Sequence, residues 1–295
     1  MKIASYLCNT FENLTTDSWQ CLSENNIRNY FNKHNIPLNV IRFNDDRVQL
    51  ALSALVESGK RTWNNNAAIR KIYRIYDFLK SDNDYGVFID IDTLVLNRNI
   101  DIRNCINDGD NYIQVCDFGS REKVWNERLE RVTKQDPMQY GCNYVLSKID
   151  FANSRFPNAT HKHVTSNTGF SVLNREFCTK FVKFLDENEL NFNKKEHILL
   201  YYQTYPKTPY TPNVVCNDEF LFDAYMRSDE NIINAWKDHA VKHEGQEKIL
   251  CTDSYHLFED FTMQFFIDKD PIFHHTLREK NTDKALSVMM RMFSV

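Results

Sequence analysis

The first hundred residues consist of short apolar runs that alternate with longer amphipathic segments. The apolar runs "KIASYLC", "LNVIRFN" and "YGVFIDI" each predict a buried β-strand. The segments between them predict helices over 17–35, 47–59 and 65–81. Strands and helices that alternate in this way are typical of a sheet covered by helices on both faces. The pattern therefore predicts an α/β fold with a central, mostly parallel sheet.

Local signals mark the helix boundaries. Asp17 or Ser18 can cap the first helix, and Gly59 fits the end of the second. The third is strongly amphipathic, and its apolar side carries Ile69, Ile72, Ile75, Tyr76 and Leu79. These signals agree with the periodicity and strengthen the helix predictions.

The rest of the chain also contains both predicted strands and predicted helices. We predict strands over 111–117 and 166–174 and helices over 121–135, 175–188, 217–228 and 283–295. Asn217 suits the N-cap of its helix, and residues 239–248 predict a short strand running into a loop. We find no internal repeat, low-complexity tract or linker. The chain is therefore predicted to form a single domain over 1–295.

Composition excludes several classes of protein. Hydrophobic residues make up 42% of the chain and charged residues 26%, which is ordinary for a globular protein. The net charge of -4 gives no basic field for nucleic acid, and no apolar run reaches the roughly 20 residues of a membrane span. The eight cysteines show no metal-like spacing, and the N-terminus reads as a strand, not a signal peptide. We expect a cytoplasmic protein with reduced thiols.

Two carboxylates, Asp90 and Asp92, follow the apolar run from residue 85. Residues i and i+2 of a strand point to the same side, so both should aim together at the end of the strand. Ligands bind at that edge in open α/β sheets. The repulsion between the two charges favours a bound Mg²⁺ or Mn²⁺. The alternative is that both carboxylates are solvated and cap the next turn.

A cation at this position also fits the glycine pattern. The seven glycines form neither a GxGxxG motif nor a P-loop, so the chain has no glycine-rich cradle for phosphate. In an acidic protein, a divalent cation could neutralise a diphosphate instead.

The segment "YGVFIDIDTLVLN" resembles the DxD strand of GT-A-fold glycosyltransferases, which use nucleotide-sugar donors. The helix before it, with Arg70, Lys71 and Arg74, is similar to the basic helix of these enzymes. The segments "SNTGFSVLN", "NDEFLFDAYM" and "HEGQEK" follow in the order seen in several families, including family eight. The resemblance covers about residues 1 to 250, and the order of the motifs is more specific than any one of them.

The resemblance implies a metal site and a donor site. Asp92 would bind the metal, Asp90 the metal or the donor ribose, and His243 would be the third metal ligand. The remaining donor-binding residues would be Arg70, Arg74 and Lys248 for the charged part of the donor, and Tyr6, Cys8 and Asn9 at the edge of the nucleobase pocket. A surface histidine is the alternative for His243.

It also implies an acceptor pocket and catalytic residues. Asn167, Thr168 and Gly169 would line the sugar and acceptor pocket, although they also fit a plain strand edge. Asp218 or Glu219 would deprotonate the acceptor hydroxyl in an inverting enzyme, or orient the sugar in a retaining one. Acidic residues in a first helical turn are also stabilising by themselves.

The sequence thus predicts a metal-dependent glycosyltransferase that moves a sugar from a nucleotide-sugar, with UDP expected, to a hydroxyl of a glycan or glycoconjugate. Residues 1–100 would form the nucleotide-binding half, 101–260 the acceptor and metal half, and 261–295 a C-terminal helical segment. A phosphotransferase of the haloacid dehalogenase type, or an inactive GT-A-like glycan-binding protein, is the alternative. The many Asn, Lys and Ile residues hint at a bacterial or viral source.

Overall fold

The structure is a computed structural model, and it describes ten stretches of the chain. They are residues 1–12, 14–16, 18–59, 68–117, 164–204, 218–228, 236–237, 240–243, 246–253 and 271–275. Only the backbone is described for residues 68, 114–117, 164–167, 204, 227, 236–237, 240–243, 246–249, 252–253 and 274–275. The helices predicted over 121–135 and 283–295, and the cap predicted at Asn217, lie outside these residues.

A six-stranded sheet forms the centre of the described structure. Its strands are β1 (Ile3–Asn9), β2 (Leu38–Arg42), β3 (Tyr85–Asp90), β5 (Asn111–Asp117), β6 (Val164–Asn174) and β7 (Trp236–Lys237). They lie in the order β2-β1-β3-β6-β5-β7. Strand β1 pairs in parallel with β2 and β3, and β5 with β7, whereas β6 runs antiparallel between β3 and β5. The prediction of a mostly parallel central sheet is confirmed.

Six α-helices are described. They are α1 (Trp19–Lys33), α2 (Asp46–Glu57), α3 (Ile72–Lys80), α4 (Arg175–Glu187), α5 (Lys195–Thr204) and α6 (Asp218–Ser228). Ser18 caps α1 by accepting a hydrogen bond from the Cys21 amide, and Gly59 follows α2 at φ +70°, in the left-handed region. The start of the third predicted helix differs, because residues Ala68–Lys71 take a tighter 3-10 turn before α3. Such turns are common at helix termini.

The helices bury both faces of the sheet, as predicted. On one face, side chains such as Tyr6, Phe88 and Leu173 pack against α2 to α6. On the other face, Leu7 and Val87 belong to a second apolar cluster with α1. The period of two along each strand sends neighbouring residues to opposite clusters. The α/β class with helices on both faces is therefore confirmed.

Two smaller sheets complete the described fold. Strands β10 (Cys251–Asp253), β11 (Phe273–His275) and β4 (Thr93–Val95) form one of them, and β4 begins directly after Asp92. Strands β8 (Ala240–His243) and β9 (Gln246–Ile249) form an antiparallel hairpin where one strand and a loop were predicted. Within the described stretches, no helix is long and apolar enough to cross a membrane. The division of the chain at residues 100 and 260 stays a prediction.

Arg175, the first residue of α4, ties the end of α3 to the sheet. Its guanidinium donates to the carbonyls of Ser81 at 2.5 Å, Asn83 at 2.8 Å and Leu79 at 3.1 Å. It also lies 5.1 Å from the centre of the Phe78 ring. The last carbonyls of a helix have no partner within the helix. Arg175 supplies that partner from a residue almost a hundred positions later.

Candidate active site at one edge of the central sheet

Several predicted site residues meet at one edge of the central sheet. Strands β1, β2 and β3 are parallel and end there with Asn9, Arg42 and Asp90. Because β6 is antiparallel and pairs Phe170 with Ile89, its Thr168 lies just beyond that pair at the same edge. Helix α6 packs against β6. The edge therefore collects the ends of three strands, the middle of β6 and the start of a helix.

The Asp90 carboxylate binds two cationic side chains. Its Oδ2 forms an ion pair with Lys71, the residue that precedes α3. Its Oδ1 accepts from the Arg74 guanidinium at 3.3 Å, and the same Arg74 nitrogen donates to the Ile89 carbonyl at 2.7 Å. Arg74 is almost completely buried, with 3% of its side chain exposed. It therefore fixes the end of β3 as well as balancing the charge of Asp90.

Asp218, the first residue of α6, is a buried carboxylate beside this group. Only 1% of it is exposed, and its Oδ2 accepts a hydrogen bond from the Thr168 hydroxyl at 2.7 Å. Its Oδ1 lies 3.8 Å from the Lys71 ammonium and has no hydrogen-bond donor among the residues that the structure describes. One ammonium thus lies between two carboxylates that are 128 positions apart in sequence, at 90 and 218.

The ionisation of these groups follows from their burial and their neighbours. Burial by itself lowers the pKa of Lys71, but the Asp218 and Asp90 carboxylates outweigh burial and raise it to about 12. Burial also raises the pKa of the Asp218 carboxyl, and Lys71 and Arg74 oppose that shift. The neighbouring Asp90 and Glu219 add to it. Lys71 is therefore a firmly charged cation, and Asp218 binds a proton more readily than a solvated aspartate.

One helix begins at this edge and another passes it. Helix α6 starts at Asp218, whereas α3 continues the 3-10 turn Ala68–Lys71. The N-terminus of a helix carries partial positive charge, so it stabilises a carboxylate and disfavours an ammonium. Asp218 is favoured by its position, whereas Lys71 depends on its carboxylate partners.

The predicted nucleobase residues of β1 lie on opposite faces of the sheet. Tyr6 is 2% exposed, stacks on Phe88 with ring centres 5.5 Å apart, and donates through its hydroxyl to Ser81. Cys8 points to the same face, where its thiol lies 3.7 Å from the Arg70 carbonyl, and burial raises its pKa to about 11. Both side chains are covered by protein in this structure. A contact with a base stays a prediction for them.

Asn9 belongs to a buried polar network on the other face. Its amide nitrogen donates to Glu24 of α1 at 2.8 Å, and Arg42 and Arg28 bind the same carboxylate. Burial alone would raise the pKa of Glu24, but the hydrogen bonds from Arg42, Arg28 and Asn9 outweigh it and lower the pKa. Since an ionised carboxylate only accepts hydrogen bonds, Glu24 fixes the orientation of the Asn9 amide.

The predicted metal ligands are described only in part. Asp90 and Asp92 are partly buried and separated by the buried Ile91. The strand pattern that predicted both on one side does not extend to Asp92, because β3 ends at Asp90 and residues 91–92 form a turn. His243 and Lys248 lie on the β8–β9 hairpin, paired with Gln246 and Val241, and only their backbone is described. Among the described side chains, no group of three His, Cys, Asp or Glu residues could hold a metal. The roles of His243 and Lys248, and of Asn167 in the acceptor pocket, stay predictions.

The sequence did not assign roles to Lys71 and Glu24. Lys71 precedes Arg74 by three positions, a spacing that places two residues on one side of a helix. Two cations at that spacing, followed by a strand that ends in Asp90, could have indicated that Lys71 binds Asp90 together with Arg74. Nothing in the sequence indicated that Glu24 is buried, because a glutamate among the polar residues of α1 is expected to face solvent. In the structure only 5% of Glu24 is exposed.

No protein-family model matches the chain, and no curated protein matches it. Solved structures similar to it include a glycosyltransferase involved in the glycosylation of the major capsid of PBCV-1, with 11% identity, a TM-score of 0.44, and coverage of 99% of this chain and 100% of that one. The galactosyltransferase LgtC with donor and acceptor sugar analogues has 11% identity and a TM-score of 0.42, covering 99% and 95%. Mouse xyloside xylosyltransferase 1 has 11% identity and a TM-score of 0.37, covering 96% and 99%. Likenesses this weak carry no argument about family or activity.

Proposed function

We propose that this protein is a metal-dependent glycosyltransferase that moves a sugar from a nucleotide-sugar, with UDP as the expected nucleotide, to a hydroxyl of a glycan. One observation carries the proposal. Asp90 at the end of β3 and Asp218 at the start of α6 share the Lys71 ammonium, with Thr168 hydrogen-bonded to Asp218. Three segments that resemble the GT-A enzymes in sequence order thus meet at one edge of the sheet.

The charges at this edge suit an anionic donor. The N-terminus of α6 and the Lys71 and Arg74 cations would favour a diphosphate near Asp90 once a divalent cation has neutralised the Asp90 and Asp92 carboxylates. Arg70 and Lys248 are the further candidates for contact with the donor, and Lys248 would act as a point charge.

Asp218 and Glu219 are the candidates for the chemical step. Within the described stretches the Asp218 Oδ1 atom has no hydrogen-bond donor, and as a carboxylate oxygen it would accept a bond from a hydroxyl of the transferred sugar. Glu219 is less buried than Asp218 and is the better placed of the two to take the proton of an incoming hydroxyl. The acceptor would approach along Thr168 and Gly169.

The Asp90 and Asp92 carboxylates fit a hard divalent cation such as Mn²⁺ or Mg²⁺, because both are oxygen ligands and lie two residues apart. These two residues would hold the metal, with His243 as the third ligand. When bound, the metal would neutralise the negative charge that builds up on the departing diphosphate.

Thermal unfolding with nucleotides tests the proposal. The full chain would be heated with UDP, GDP or CMP and their common sugar conjugates, each with and without Mn²⁺. A ligand present at a hundred times its Kd adds about 2.7 kcal/mol of stability, which is easily measured. We expect stabilisation by one nucleotide class, with UDP first, and only when the metal is present. No stabilisation by any of them, together with Mg²⁺-dependent hydrolysis of a phosphomonoester, would favour a phosphatase.

Asp92→Asn is the matching variant. It removes one metal ligand and keeps the size of the side chain, so the fold should persist while metal-dependent nucleotide binding is lost. Asp186→Asn on the exposed surface of α4 is the control for a lost negative charge. Normal donor binding by Asp92→Asn in Mn²⁺ would contradict the metal assignment.

A further inference from the structure

We propose that Lys71 is a positioning residue that couples cation binding at Asp90 to the buried Asp218. This inference rests on the proposed function, since it concerns the same metal site. Lys71 would be the counter-ion of Asp90 in the metal-free protein and the counter-ion of Asp218 in the metal-bound protein.

Both oxygens of Asp90 already have cationic partners. Lys71 binds Oδ2 and Arg74 binds Oδ1. A divalent cation that binds Asp90 is repelled by both of these charges, and displacing one of them relieves the repulsion. Arg74 is held by the Ile89 and Lys71 carbonyls, at 2.7 and 3.3 Å, in addition to Asp90. Lys71 has no comparable second anchor in the described structure except Asp218, so it is the cation that yields.

Asp218 is prepared to receive the displaced ammonium. Its Oδ1 lies 3.8 Å from the Lys71 nitrogen, a distance slightly too long for a hydrogen bond, and no described group donates to it. Its other oxygen is held in place by Thr168 at 2.7 Å. A shift of about 1 Å would bring the Lys71 ammonium within hydrogen-bonding distance of Asp218.

Two consequences follow for metal affinity. The Lys71 ammonium competes with the metal for Asp90, so removing it should tighten metal binding. Asp218 lowers the cost of displacing Lys71, so removing its charge should weaken metal binding. The weaker metal binding caused by loss of the Asp218 charge should require Lys71, because a protein without the Lys71 ammonium has no cation to transfer from Asp90 to Asp218.

A double-mutant cycle on the 295-residue chain measures this coupling. Mn²⁺ alone would be titrated into the wild type, Lys71→Met, Asp218→Asn and the double variant, with free Mn²⁺ read by electron paramagnetic resonance. We expect Asp218→Asn to weaken Mn²⁺ binding about tenfold when Lys71 is present, or about 1.4 kcal/mol. In the Lys71→Met background the same substitution should weaken binding by less than about twofold. Lys71→Met alone should bind Mn²⁺ more tightly than the wild type.

The cycle cancels the general effect of a lost negative charge, because that effect is present in both backgrounds. Lys80→Met, an exposed lysine at the end of α3, controls for a lost positive charge and should leave Mn²⁺ affinity unchanged. An equal effect of Asp218→Asn in both backgrounds would overturn the coupling. If Lys71→Met does not fold, Lys71→Gln replaces it with the same expectation. If neither folds, Asp218→Asn alone decides, and an affinity within twofold of the wild type overturns the proposal.

Asp92→Asn separates this inference from the proposed function. Mn²⁺ binding by the wild type that is lost in Asp92→Asn supports the metal site, whatever the cycle shows. Additive effects would then overturn only the role of Lys71. A wild type that binds no Mn²⁺ would overturn both.

Discussion

The hydrogen bond between Thr168 and Asp218 should contribute measurably to stability. Its Oγ1–Oδ2 distance is 2.7 Å, and both residues are 1% exposed, so neither group can turn to water. Hydrogen bonds to charged groups contribute about 1.5–3 kcal/mol. Thr168→Val keeps the shape of the side chain and removes the donor. We therefore expect it to lower the free energy of unfolding by about 2 kcal/mol.

Denaturant unfolding is the appropriate measurement, because a lower midpoint with an unchanged slope reports stability alone. Thr168→Ser is the control. It keeps the hydroxyl and loses one methyl group, which should cost about 0.8 kcal/mol. A Thr168→Val protein at least as stable as Thr168→Ser would refute the reasoning, since the hydrogen bond would then contribute nothing.

Three further predictions concern the scaffold. Arg175→Met should cost about 2–3 kcal/mol in denaturant unfolding, because it leaves carbonyls at the end of α3 without a donor, and Arg175→Lys should restore little of that loss. Gly86→Ala should cost about 1–3 kcal/mol, since a Cβ there would lie 2.6 Å from the buried Phe88 ring; an unchanged midpoint would mean that the ring can move. The pKa of Glu24 is lower in the folded protein than its ordinary value of 4.5, so ionised Glu24 stabilises the fold at pH values above 4.5. This contribution is lost as the pH falls through the pKa of the folded state. Glu24→Gln should therefore be less stable at neutral pH and lose less stability on acidification, and an equal loss in both proteins would contradict this.

Local pattern determined much of the fold. The apolar runs located β1, β2 and β3 within about two residues, and Ser18 and Gly59 mark the helix ends where they were expected. These features depend on periodicity and on the backbone preferences of single residues, which are properties of a short stretch of chain. The same reasoning located Asp90 at the end of a strand, since the apolar run stops there.

Contacts between distant segments were decided by the tertiary structure alone. The sequence predicted a strand at 166–174, but not that it would run antiparallel between β3 and β5. That insertion places Thr168 at the carboxyl ends of the parallel strands, where it meets Asp218. Pairing direction depends on how whole elements pack, and the pattern within one strand is the same for either direction.

The candidate site, too, was predicted from the sequence only in part. Asp90 and Asp218 were assigned roles from the sequence, whereas Lys71 was named only as part of the basic helix and its position between the two carboxylates was not predicted. The burial of Glu24 beneath Arg42 and Asn9 was equally unexpected. A charged residue is assigned to the surface unless its partner is known, and these partners come from elements far away in the chain. The sequence determined which elements form and where the strands end, and only their packing decided which charges share a partner.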